Sequence, residues 1–81
     1  MEVNYHLRNQ ILEAVDNQLR DGDPPIATET FARLLREGFS KKKAKEMIAA
    51  VLLEEIYDTL KNNEPYDEDR YTRNLNELGK Q

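Results

Sequence analysis

Seven consecutive apolar residues, Met47-Ile48-Ala49-Ala50-Val51-Leu52-Leu53, are flanked on both sides by charged residues at helical spacing. The run is too short to cross a bilayer, which takes about 20 apolar residues. It suits a helix that other helices bury on all sides, and so it constrains the architecture more than any other feature. The remaining totals bound the rest. At 81 residues the chain reads as one helical domain, 1–81, near the size at which a single core is marginal. Without cysteine, neither a disulfide nor a thiolate metal site can reinforce that core, which fits a reducing cytoplasm. The opening Met1-Glu2-Val3-Asn4-Tyr5 lacks the basic and apolar regions of a secretory signal. With no longer apolar stretch than the run itself, no membrane is expected as a partner. A net charge of −4 argues against general affinity for polyanions.

Punctuation divides the chain into four helices. The first runs from about Asn4, its expected N-cap, to Arg20, with Leu7, Ile11, Leu12, Val15 and Leu19 on one face. Asp16 and Arg20 are spaced as an acid-before-base pair. Gly22-Asp23-Pro24-Pro25 stops it, and Pro25 opens the second helix, about Pro25 to Glu37. There Ala27, Phe31, Leu34 and Leu35 form the apolar face, and Glu29 and Arg33 are expected to pair on the solvent side. Gly38 sits where a C-terminal cap needs positive φ, and Phe39 follows in position to touch Leu34.

Ser40 is the expected N-cap of the third and longest helix, about Lys41 to Lys61, roughly 30 Å long. Beyond Leu53 its apolar positions narrow to Ile56, Tyr57 and Leu60, while Glu54, Glu55 and Asp58 are read as a solvated opposite face. The helix is therefore expected to be enclosed at its centre and half exposed toward its C-terminal end. Asn62-Asn63-Glu64-Pro65 ends it. Asp67 caps a short fourth helix, about Glu68 to Leu78, with Tyr71, Leu75 and Leu78 buried and Gly79 closing it. The fold class is all-α, a compact four-helix bundle with a long central third helix.

Chemistry-bearing constellations are sparse. The one histidine, His6, has no second His or any Cys to join it in a metal or catalytic site. Glu54, Glu55 and Asp58 share a face that would need ligands from a second helix to hold a cation. Ser40 and Thr28, Thr30, Thr59 and Thr72 have no base paired with them by any motif. Phosphate-binding glycine loops are absent, and no cofactor is expected.

The arrangement that breaks a local rule is Lys41, Lys42, Lys43 and Lys45, four cations against the positive end of a helix dipole. A lysine-rich helix start can receive a phosphate. Leu34 to Met47 also echoes a helix-turn-helix, with Gly38 in the turn and Ser40 opening the would-be recognition helix. Two features weigh against nucleic acid. Leu34 is bulky where close helix packing needs a small residue, and the would-be recognition helix runs on into the apolar core. A solvated basic start offset by Glu37 and Glu46 is the plainer reading.

Asn17-Gln18-Leu19 with Gly22-Asp23-Pro24-Pro25, then Leu53-Glu54-Glu55-Ile56-Tyr57, then Pro65-Tyr66-Asp67 and Tyr71, resemble a family of small bacterial all-helical proteins defined as a domain of unknown function. The resemblance spans most of the chain and rests on turns and core positions, so it implies fold rather than activity. Members of that family often carry histidines where this chain has Lys42 and Glu46, and another near Leu12, so no metal role is carried over. The expectation is a non-enzymatic module of the bacterial cytoplasm that offers a helical surface to a protein partner or to a second copy as a homodimer. Nucleic-acid or phosphate binding through Lys41, Lys42, Lys43 and Lys45 is the alternative.

Overall fold

A computed structural model describes residues 5–79, whose four helices are α1 (Tyr5–Asp21), α2 (Pro25–Arg36), α3 (Lys41–Asn62) and α4 (Glu68–Asn76). Among the described residues there is no strand. The expected Asn4 cap lies outside them.

Local chemistry sets each boundary. Gly22 takes φ +66 and lets the Asp23 N–H donate back to the Gln18 carbonyl at 3.2 Å, closing α1. Pro24 is extended (φ −74, ψ 149) ahead of Pro25, and α2 begins there. Gly38 at φ +101 ends it as a Schellman turn: Phe39 N–H reaches the Leu34 carbonyl at 3.1 Å and Gly38 N–H the Leu35 carbonyl at 3.1 Å. The Ser40 hydroxyl accepts from Lys43 N–H at 3.0 Å, and the Asp67 carboxylate accepts from Arg70 N–H at 3.1 Å. Asn63, in the left-handed region at φ +54, terminates α3.

Ile11, Val15, Leu34, Ala44, Ile48, Ala49, Val51, Leu52, Tyr71 and Leu75 form one buried core. At 22 residues α3 is about 33 Å long, close to the longest dimension of 35 Å. It packs on all three other helices, and so does α2. α1 and α4 do not pack side by side. Their link is the Tyr71 hydroxyl, which donates to Gln18 Oε1 at 3.0 Å.

Three expectations are corrected. The apolar run is not enclosed on every side: Ile48, Ala49, Val51 and Leu52 are buried, Met47 and Leu53 half-buried, and Ala50 exposed. Three neighbours cover one side of α3 and leave its outer face to water. Asp16 pairs with Lys45 of α3 at 2.8 Å rather than with Arg20, which holds Asp21 at 3.0 Å. Arg33 turns from Glu29 to Glu37 at 3.0 Å, and its guanidinium also donates to the carbonyls of Leu78 at 2.8 Å and Leu75 at 3.1 Å. It thereby caps the carbonyl end of α4, a tertiary use no helical spacing could announce.

Candidate functional site

Four lysines, Lys41, Lys42, Lys43 and Lys45, stand at the start of α3 against the positive end of its helix dipole. Ser40 already takes the Lys43 N–H, so the cap removes a donor an incoming phosphate would need. Lys41, Lys42 and Lys43 are exposed, and among the described residues no ion pair involves them. Lys45 is half-buried and its ammonium locks α3 to α1 through Asp16. Glu37 and Glu46, expected to offset the lysines, hold Arg33 and Arg8 instead, the latter at 2.9 Å. The cluster is thus three solvated cations and one packing contact. The helix that carries them continues into buried Ala44 and Ile48, while Leu34 is fully buried in the would-be helix-turn-helix.

The carboxylate face is corrected more sharply. Glu55 is not solvated; it is 1% exposed. Arg70 grips it in a two-pronged pair, Nε to Oε1 and Nη2 to Oε2, both at 2.8 Å, and Asp67 N–H adds a third bond at 3.0 Å. Arg70 holds the Glu55 carboxyl below the usual carboxylate range against the opposing effect of burial, with the Asp67 N–H assisting. Ile48, Leu52, Glu55 and Thr59 recur at four, three and four residues, so Glu55 shares a stripe with two core residues, but an apolar run that circles the helix does not say which stripe turns inward. What sequence reasoning missed was the partner, because Arg70 is reached only when α4 folds back.

That pair anchors the α3–α4 connection. Beside it, Glu64, Pro65, Tyr66, Asp67, Glu68 and Asp69 line an open hollow of about 310 Å³. Tyr66 leans on buried Tyr71, ring centres 6.0 Å apart and planes tilted 58°. Burial raises the Tyr71 phenol to about 12. Among the described residues no group of three or more His, Asp or Glu side chains is arranged to hold a metal ion, and no helix is long and apolar enough to cross a membrane.

The outer face of α3 remains. Tyr57 is 54% and Leu60 74% exposed, Ala50 is exposed, and Leu53 is half-buried. Positions 50, 53, 57 and 60 alternate three and four residues apart, the spacing that keeps side chains on one stripe and lets a second helix seat against it. Half exposure of this end of α3 matches the expectation from sequence. Its sidedness does not follow from the local pattern, since Glu55 turns in while Tyr57 and Leu60 turn out. Comparison with protein-family models, curated proteins and solved structures found no match to this chain.

Proposed function

We propose that this protein is a non-enzymatic interaction module of the cytoplasm that works by contact, through the outer face of α3. The observation that carries the reading is the stripe of exposed Ala50, Tyr57 and Leu60 with half-buried Leu53 among them, at coiled-coil spacing in a chain with few apolar residues to spare. The cytoplasmic setting is supported by a composition without cysteine. The test is a photo-crosslinking residue in place of Tyr57, with one in place of exposed Glu13 on α1 as control, used in cells that make the protein. Products are expected from position 57 and not from position 13, whether they join two copies or join the chain to another protein. An absence of products at 57, or an equal yield at 13, removes the reading.

Exposed Lys41, Lys42 and Lys43, which form no ion pair among the described residues, favour a second reading, phosphate or nucleic-acid binding. With a net charge of −4, no retardation of DNA or RNA is expected in a gel at low salt. Retardation that disappears when the three lysines become glutamates would promote this reading over the first.

A further inference from the structure

We propose that α4 and the connection that carries it form a hinged strap: residues 63–79 lift off and settle back as one unit while α1, α2 and α3 stay assembled. The placement of the helices carries this. α1, α2 and α3 each pack on the other two, so they close around a core of their own, whereas α4 rests on α2 and α3 and does not pack on α1. α4 gives Tyr71 and Leu75 to the core, and the other eight of the ten core residues described lie on α1, α2 and α3. Tyr71 and Leu75 are also the only apolar side chains among the nine residues of α4, which has too few turns to hold as a helix away from the body.

The attachments fit a hinge at one end and a clasp at each end. From Lys61 to Asp69 every residue is exposed, so the connection moves without uncovering a buried side chain. Asn63 at its head holds a left-handed φ of +54, and Pro65 has no N–H to lose. Arg70 and the Asp67 N–H fasten one end of the strap to Glu55. Arg33 fastens the other by donating to the carbonyls of Leu75 and Leu78. Along the helix rise the two clasps sit roughly 10 Å apart. The Tyr71 hydroxyl on Gln18 is a third tie. All of these run from strap to body, and none holds α1, α2 and α3 to one another. Lifting the strap returns Glu55 to water and leaves Arg33 its Glu37 partner four residues along. It also bares the seat on α2 and α3 between the clasps, a surface the closed molecule covers. With Tyr71 and Leu75 fully buried, the open form is a minor state beneath the reach of a urea melt.

Native-state hydrogen exchange of the full chain reads such a state. The Tyr71 and Leu78 N–H groups, bonded to the carbonyls of Asp67 and Leu75, mark the two ends of the strap. Both are expected to exchange through one shared opening, protected about tenfold less than the slowest amides of α3 and with a smaller urea slope. Two substitutions decide the matter. Ile11→Val trims the core on α1, a helix that α4 does not pack against. It is expected to speed the slowest α3 amides about fivefold and leave the α4 amides unchanged, because opening the strap keeps the three-helix body. Arg33→Lys removes the far clasp and is expected to speed Tyr71 and Leu78 by the same factor, about tenfold. Equal acceleration of α4 and α3 by Ile11→Val would mean that α4 leaves only when everything unfolds, and would overturn the proposal. So would an Arg33→Lys effect confined to Leu78, or protection that declines toward Gly79 without urea dependence, the marks of a fraying end.

Discussion

Glu55 concentrates the electrostatics of the fold in one side chain. A carboxylate that is 1% exposed is tolerable because Arg70 and the Asp67 N–H supply three hydrogen bonds. Arg70 is itself partly open to water, so the pair is weaker than one sealed in a core. Glu55→Ala is expected to destabilise by about 2 kcal/mol in a urea melt, short of the 3–5 kcal/mol for breaking a fully buried pair. The sign of the pH dependence follows from the lowered pKa. The carboxyl binds a proton more readily in the unfolded chain than in the folded one. Its contribution is therefore complete above the unfolded carboxylate pKa and fades as pH falls through the lower folded one. Melts from pH 7 down to pH 2 should show that acid loss in the parent, and a flatter profile in Glu55→Gln.

Tyr71 behaves oppositely at the alkaline end. Burial raises its phenol to about 12, so the stability it brings is intact below the unfolded value near 10 and is lost as pH rises through 12. Phenolate absorbance and helical circular dichroism should change together over that interval, and Tyr71→Phe should separate them.

At the scale of elements, the cause of each helix is local and its placement is not. Glycine at positive φ, Ser40 and Asp67 caps, and Pro25 at a first turn fix where helices begin and end, and each operates within five residues of chain. These were legible in the sequence to within two residues. The side chains that tie one helix to another were not. Asp16 and Lys45, Arg33 and the α4 carbonyls, and Glu55 and Arg70 are all separated by at least 15 positions, and a charged residue carries no mark of which distant partner it will meet.

Two element-scale outcomes are expected. Leu52→Ala should cost about 2–5 kcal/mol, because its side chain lies in the shared core on the covered side of α3. A loss under about 1 kcal/mol in chemical denaturation would show that α3 can close over the gap. Gly79→Ala should loosen α4: at φ +93 a side chain is strained, and an added Cβ would strike Leu34 and the Glu37 carboxylate beside the Arg33 cap. Faster amide exchange across Tyr71 to Leu78, with α1 unchanged, is the measurement that checks it.

For the whole molecule, α2 and α3 each touch every other helix, whereas α1 and α4 do not pack side by side and are linked by a hydrogen bond from Tyr71 to Gln18. Removing that hydroxyl in Tyr71→Phe should cost about 1 kcal/mol at neutral pH, without splitting the urea transition. Two transitions would mean that α4 unfolds apart from the rest.

By itself the sequence determined an all-α chain of four helices, their caps and most of their buried stripes, because helical periodicity and cap chemistry act between residues a few positions apart. Tertiary structure alone decided which side of α3 faces water. Its apolar residues run around the helix, so only the positions of α1, α2 and α4 could cover Ile48 and Leu52, draw Glu55 in toward Arg70, and leave Ala50, Tyr57 and Leu60 outside.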